Sequence, residues 1–280
     1  MIATQIRLMT YADLPLGMRL KTANGWNQTE ADWRRCLDLQ PDGCFVATID
    51  GAPVGTLTTC LFGSVAWIAM VLVDSKFRGR GIGTSLMHHA LEFLKRQGVV
   101  TIRLDATPLG QPLYEKLGFV GDHALHRYEG VLPASDQLPE VEPLLPADLS
   151  EVLRLDRLAT KTDRRKLLLR LANEFPKSLH TYRGQSEIEG FCGARPGALA
   201  HQIGPCIGSE AAGLRLLDHA QHQFGGERVF IDVPDQHEAA VRWTKAAGLT
   251  AQRRLLRMTR GPKLNERIAE FWVSSGPEMG

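Results

Sequence analysis

The sequence predicts a mixed α/β protein in which two halves of similar plan follow one another, and three observations carry that reading. First, residues 6–20, "IRLMTYADLPLGMRL", align with residues 141–155, "VEPLLPADLSEVLRL", each with Ala-Asp-Leu at a helix entry. An aspartate there, Asp13 or Asp148, suits capping and the positive end of the helix dipole. Second, residues 44–62, "CFVATIDGAPVGTLTTCLF", alternate as a hairpin with Asp50-Gly51 at its turn. Third, "TIRLDA" (101–106) resembles "VFIDV" (229–233), and each precedes a helical stretch ending in glycine.

Each half thus reads as a strand, two helices, a run of strands, a helix, a strand, a helix and a final strand. The apolar run 64–73, "SVAWIAMVLV", is a strand buried on both faces. The repeat divides the chain at 1–131 and 144–261, with the proline-rich stretch 132–143 as a linker and 262–280 as a tail. Leu264, Ile268, Phe271 and Trp272 recur at helical spacing, so the tail is expected to be helical in part and docked on the body.

Composition narrows the function. At 280 residues, 44% hydrophobic and 23% charged, the chain has the make-up of a soluble globular protein long enough for two domains. A net charge of +2 and the lack of a long basic block argue against a nucleic-acid partner. The clusters "TDRRK" (162–166) and "QRRLLR" (252–257) read as solvated faces or strand edges. No stretch approaches a membrane span, and residues 1–15 lack the apolar core of a signal peptide. Five scattered cysteines without a C-x-x-C pair point to a reducing compartment, taken as the cytoplasm, and away from disulfides or zinc. His88-His89 diverge on a helix and His219-x-x-His222 lacks a third ligand, so no metal is expected.

The chemistry concentrates in residues 77–84, "FRGRGIGT", between the strand 64–73 and the helical run 85–98. Glycines on alternate positions there let backbone amides close on phosphate. A dinucleotide loop requires G-x-G-x-x-G after a first strand, whereas here Thr84 replaces the last glycine and the preceding strand is the fourth. A P-loop requires a lysine beside Ser/Thr for the outer phosphates, and Gly83-Thr84 has none.

The stretch instead resembles the acyl-CoA loop of the GNAT superfamily of N-acyltransferases, R/Q-x-x-G-x-G/A after an L-x-V strand, with Arg78, Gly81 and Gly83 at the pattern positions. Residues 112–119, "PLYEKLGF", resemble that superfamily's second signature, a helix that carries a tyrosine and ends at Gly-Phe. The likeness covers about residues 5–130, and the whole chain resembles bacterial tandem acetyltransferases whose second half keeps the fold and loses the motif. Here the matching segment 203–217, "IGPCIGSEAAGLRLL", lacks the arginine-glycine spacing and brings Glu210 where pyrophosphate would sit; Thr244 stands in place of the tyrosine.

The resemblance implies two tandem domains, one acetyl-CoA site, and direct transfer of acetyl to a primary amine within a ternary complex. It assigns donor contacts to Val71, Leu72 and Val73 of the strand, to Arg78, Gly79, Arg80, Gly81, Ile82, Gly83 and Thr84 of the loop, and to Thr107. "ATPLGQP" departs from the family's usual residues before the tyrosine, which puts the Thr107 contact in question. Tyr114 is the expected acid for the departing thiolate, since phenol and thiol pKa values are close, ~10 and ~8.5; a buried core tyrosine is the other reading. Asp105 is a possible base, yet Asp232 at the matching place in the half without the loop suggests a structural role for both. Trp26, Asn27 and Gln28 fall where relatives build the acceptor pocket, and the same stretch also suits a helix cap at Asn27 or Thr29.

The expected acceptor is the amine of a small polar molecule. A protein lysine or N-terminus, or a non-catalytic acyl-CoA sensor, are the alternatives. The chain is expected to work without nucleic acid or membrane, as a monomer or homodimer.

Overall fold

The computed structural model describes residues 4–136, 139–185 and 187–280. Positions 137 and 138 of the expected linker lie outside the described residues. The first half runs β1 (Thr4–Leu8), α1 (Leu14–Ala23), α2 (Glu30–Leu39), β2 (Cys44–Ile49), β3 (Ala52–Phe62), β4 (Val65–Val73), α3 (Ile82–Arg96), β5 (Thr101–Ala106), α4 (Gln111–Lys116) and β6 (Val120–Val131). The second repeats it with β7 (Glu142–Pro143), α5 (Leu149–Thr160), α6 (Arg165–Glu174), β8 (Leu179–Arg183), β9 (Ile188–Arg195), β10 (His201–Gly208), α7 (Glu210–Gln223), β11 (Arg228–Pro234), α8 (Glu238–Ala246) and β12 (Thr250–Arg260). The mixed α/β class and the repeated plan are therefore as the sequence predicts. Asp50 and Gly51 both have positive φ, 49° and 78°, the conformation of the two-residue turn that matches strand twist.

One feature of the sheet could not be read from the repeat. The order is β1-β2-β3-β4-β5-β12-β6-β11-β10-β9-β8-β7. Each half's last strand lies in the other half: β12 runs antiparallel to β5, with Leu256 opposite Ala106, and β6 antiparallel to β11, with Tyr128 opposite Ile231. The two exchanged strands pair with each other at the centre. A chain cut near residue 131 would therefore separate repeats by sequence while leaving both sheets without their closing strand.

Helices α1, α2, α5 and α6 share one apolar cluster that crosses both halves, from Leu20 and Trp33 to Leu167 and Phe191. The α3 side of the first half and the α7 side of the second have separate clusters. The sheet is thus a common floor with one continuous core beneath it.

The tail corrects an expectation. Residues 264–272 form no α-helix: a 3-10 turn at Ile268–Glu270 leads into a short strand, β13 (Phe271–Val273), antiparallel to β10. Pairing with β10 satisfies backbone groups while Phe271, Trp272 and Val273 are all fully buried. A helix would have buried one stripe only.

Candidate active site

The site exists because two parallel strands part. β4 and β5 pair only from Val65–Thr101 to Trp67–Arg103, and beyond that the ladder stops. The cause lies on the other edge of β4. Between the pairs Thr56–Leu72 and Thr58–Ala69, two residues of β4 oppose one of β3, a bulge that bends the strand. Met70 sits there with φ 50°, and its carbonyl accepts a 2.9 Å hydrogen bond from the Thr56 hydroxyl. A cavity of about 530 Å³ fills the gap, lined by Val71, Leu72, Val73 and Asp105 among others.

The glycine loop forms one mouth of this cavity. After a 3-10 turn at Ser75–Phe77, Gly79 and Gly81 take φ of 75° and 79°, and α3 begins at Ile82. A Cβ at either glycine would meet no atom within 4 Å, so backbone conformation, not packing, demands them. The first turn of α3 carries no acidic residue and no side-chain cap, so its amides stay free for an anion. This cradle fits the pyrophosphate of acetyl-CoA.

Most of the expected donor contacts gather here: Arg78, Gly79, Gly81, Ile82, Gly83, Thr84 and Thr107 all line the cavity. Arg80 does not; its guanidinium lies 5.3 Å over the Phe77 ring instead. Arg78 donates to the Val73 carbonyl at 3.1 Å and to Asn24 Oδ1 at 2.9 Å, so it braces the loop against the strand end. Thr107 accepts from the Gly110 amide at 3.3 Å and thereby starts the turn into α4.

Tyr114 comes from α4 and lines the cavity. Its ring packs edge-on to Phe119 at 6.1 Å, and burial pushes its phenol well above the usual tyrosine value. The hydroxyl has no hydrogen-bond partner among the described residues, which distinguishes it from an ordinary core tyrosine. Asp105 lines the wall too, but its carboxylate receives Arg257 Nε and Nη2, each at 2.9 Å, and its side chain is 1% exposed.

At the acceptor end the stretch 26–28 divides. Trp26 and Gln28 line the cavity, whereas Asn27 faces away. Its amide accepts from the Leu199 and Ala200 amides at 2.9 and 3.1 Å and donates to the Ala200 carbonyl at 3.0 Å, tying the halves together. The helix cap belongs to Thr29, whose amide and hydroxyl both donate to Asp32.

Sequence reasoning missed the opposite wall, which comes from the second half: Arg253 and Leu255 of β12, then Pro277 and Glu278 of the tail. Alternation was the available signal, since Arg253, Leu255 and Arg257 lie two apart on a strand read only as a basic edge. Glu278 has no such signal; it arrives because the tail leaves β13 and turns back under the first half.

The second half repeats the parting of strands and fills it. β10 and β11 pair only from His201–Val229 to Ile203–Ile231. β13 occupies the gap, with Val273 opposite Cys206 and the Ser274 amide donating to the Asp232 carbonyl at 2.9 Å. The Trp272 indole packs where Gly213 of α7 lacks a Cβ and donates to the Gly208 carbonyl at 3.2 Å. At the N-terminus of α7, the Ser209 hydroxyl already accepts from the Ala212 amide at 3.2 Å, and Glu210 stands in the first turn. Protein takes the place that a second donor molecule would need.

The sequence pattern of the acetyltransferase (GNAT) family matches residues 14–119, and a second acetyltransferase (GNAT) domain pattern matches residues 152–272. The chain belongs to the GNAT acetyltransferase family. It carries two such domains in tandem. The uncharacterized N-acetyltransferase YitH of Bacillus subtilis is 24% identical over 79% of this GNAT chain and 78% of its own. The N-alpha-acetyltransferase MAK3 of Arabidopsis thaliana is 32% identical over 34% of this chain and 54% of its own; this chain thus spans about half of it. A glucosamine 6-phosphate N-acetyltransferase of Trypanosoma brucei brucei is 38% identical over 20% of this chain and 38% of its own. Among solved structures, a candidate acetyltransferase from Pyrococcus horikoshii superposes with a TM-score of 0.84 at 26% identity, over 99% of this chain and 96% of that one.

Proposed function

We propose that this GNAT protein transfers an acetyl group from acetyl-CoA to the primary amine of a small polar acceptor, by direct attack with both molecules bound in the first-half cavity. One observation carries the reading. The same cavity is lined by a phosphate-fitting glycine loop, by Tyr114 with its unpartnered hydroxyl, and by Trp26, Gln28 and residues of the second half.

Acetyl-CoA supplies the activated acyl group; the chain's own part is to align, polarise and exclude. Holding amine and thioester together can supply up to roughly 7–11 kcal/mol of the barrier reduction. In this reading a backbone amide beyond the Met70 bulge, at Val71–Val73, donates to the carbonyl oxygen, a contact typically worth about 3 kcal/mol. Tyr114 remains protonated in its buried setting and gives its proton to the leaving sulfur. Both carboxylates in the lining, Asp105 and Glu278, are engaged by arginines, so we assign neither as base and pass the ammonium proton to solvent at the acceptor end.

Relatives named for protein N-termini and for glucosamine 6-phosphate leave the acceptor class open by sequence alone. The small-molecule reading is favoured by the wall that β12 and the tail place across the chamber, since a polypeptide acceptor needs an open groove. Incubating the protein with acetyl-CoA and a panel of small amines, peptides and proteins, with thiol release as the readout, tests this directly. Release with peptides alone would move the assignment to a protein acetyltransferase. Tight CoA binding with no release from any acceptor would make the protein an acyl-CoA sensor.

A further inference from the structure

The cavity holds two buried polar atoms without a partner among the described residues, and their hydrogen-bonding characters are opposite. Gln28 Oε1, an acceptor, has none, and neither does Arg253 Nε, a donor. The Gln28 amide cannot simply be turned over, because its Nε2 donates to Glu278 Oε2 at 2.9 Å and an oxygen there would face a carboxylate. Arg253 forms no ion pair with any described residue. The neighbouring carboxylate, Asp232, is already bound by Arg127 Nε and Nη2 at 2.8 and 2.6 Å and by Gln202 Nε2 at 3.2 Å.

Arg253 is therefore a cation that the fold brings beside a second guanidinium, Arg127, directly across the strand pair. Burial, then Arg127, lower its pKa to about 10, which leaves it charged at neutral pH and short of an anion. An arginine in that setting weakens the fold, and a ligand is what repays it. Arginine is also the side chain whose planar fork matches carboxylate and phosphate oxygens.

We propose that the acceptor is a small amine that also carries an anionic group, a carboxylate or a phosphate: Arg253 binds the anion, and the amine lies toward Gln28 Oε1 and Glu278. The proposal deepens the transferase reading of this cavity and rests on it for the amine's role. It does not need turnover to be tested.

Calorimetric titration of the CoA-saturated full chain with matched pairs reads the anion alone: lysine against cadaverine for a carboxylate, O-phosphoethanolamine against ethanolamine for a phosphate. We expect the anionic member of at least one pair to bind about tenfold or more tightly than its neutral partner, a difference of ~1.4 kcal/mol. Arg253→Met should reduce that preference to below about threefold while CoA affinity is kept, and Arg253→Lys should retain part of it. Because Arg253 lacks a partner, the Met variant should melt no lower than wild type, which separates lost recognition from lost folding. Equal or tighter binding of the neutral members, binding of no anionic member, or a preference unchanged in Arg253→Met overturns the proposal. A protein that bound the anionic amines without ever releasing CoA would lose the transferase reading and keep this site.

Discussion

Asp105 on β5 and Asp232 on β11 stand at corresponding places in the two repeats, and each is gripped by an arginine from the other half. Arg257 of β12 donates two hydrogen bonds of 2.9 Å to Asp105; Arg127 of β6 donates two, of 2.8 and 2.6 Å, to Asp232. All four side chains are about 1% exposed. Each pair thus fastens an exchanged strand to its host sheet. Asp232→Asn leaves the buried Arg127 without a carboxylate and should cost about 3–5 kcal/mol, while Asp105→Asn should cost less because Arg257 keeps Glu266 at 3.5 Å; both are measured as urea midpoints with unchanged slope. If Asp105 is a lock and not a base, Asp105→Asn assayed below its melting range keeps the acidic limb of the kcat/KM profile where wild type has it. Loss of that limb would restore the base assignment.

Tyr114→Phe removes a phenol in the lining that has a proton to give and no partner among the described residues to give it to. General acid catalysis contributes typically ~10²–10⁴-fold, so kcat should fall within that range while KM for acetyl-CoA changes little. The ring contact with Phe119 survives the substitution, and the melting temperature should too. An unchanged kcat would return Tyr114 to the core.

The loop glycines make a different demand. At Gly81, φ of 79° costs a branched side chain roughly 1–2 kcal/mol or more in strain, and a Cβ would project into open space. Gly81→Val should therefore weaken CoA binding at least about tenfold in calorimetry, with a stability loss of about the size of that strain, ~1–2 kcal/mol. Arg80→Ala, by contrast, should leave CoA affinity within about threefold, because Arg80 rests on Phe77 outside the lining. A large loss with Arg80→Ala would mean that the loop rearranges around its ligand.

What the sequence made legible was whatever depends on local pattern. The hairpin turn at Asp50-Gly51, the strand 65–73, the glycine loop and the tyrosine helix all follow from neighbours in the chain. The exchange of β6 and β12 does not, since the two are alike in length and pattern and either could close either sheet. Arg253 and Glu278 reach the cavity through that exchange and through the tail, so alternation could mark the face of β12 that carries Arg253 but not the cavity it enters, and nothing marked Glu278. The tail misled because Phe271 and Trp272 fit a helical stripe as well as a strand buried on both faces. Asn27 misled through proximity; Trp26 and Gln28 turn toward the chamber while the residue between them turns toward the second half.

The filled groove of the second half predicts a stoichiometry. One CoA per chain should bind in calorimetry, and Trp272→Ala should not add another, because Ser209 and Glu210 still occupy the start of α7. The same variant should cost about 3–5 kcal/mol, the usual loss for a buried tryptophan, with Gly213 left facing a void. Two CoA molecules per chain in either protein would refute the single-site reading.

Acid should weaken the fold in two stages, and the signs of two shifts set the windows. His123 on β6 is buried between Arg103, Arg257 and Glu266, and its Nε2 has no partner among the described residues. Burial, then Arg257, push its pKa down from 6.5 to about 4, so the folded state excludes a proton that the unfolded chain binds. Its contribution is therefore complete above pH ~6.5 and declines as pH falls toward ~4, by at most about 1.4 kcal/mol per pH unit. His219, lowered to about 4 by burial and then by His180, adds to the same window. Glu266 behaves differently: burial alone would raise it, but the Arg103 hydrogen bond and the Arg257 charge outweigh that and hold it at about 2. Its stabilisation persists until pH drops below the ordinary carboxylate value near 4.5 and is lost toward 2. Urea midpoints at pH 7, 5.5 and 4.5 should fall in wild type and fall less steeply in His123→Gln, while Glu266→Gln should lower the midpoint at pH 7 and leave the slope between pH 7 and 5.5 intact. A wild-type midpoint flat from pH 7 to 4.5 would show that His123 is protonated in the folded protein, with Glu266 as its counter-ion.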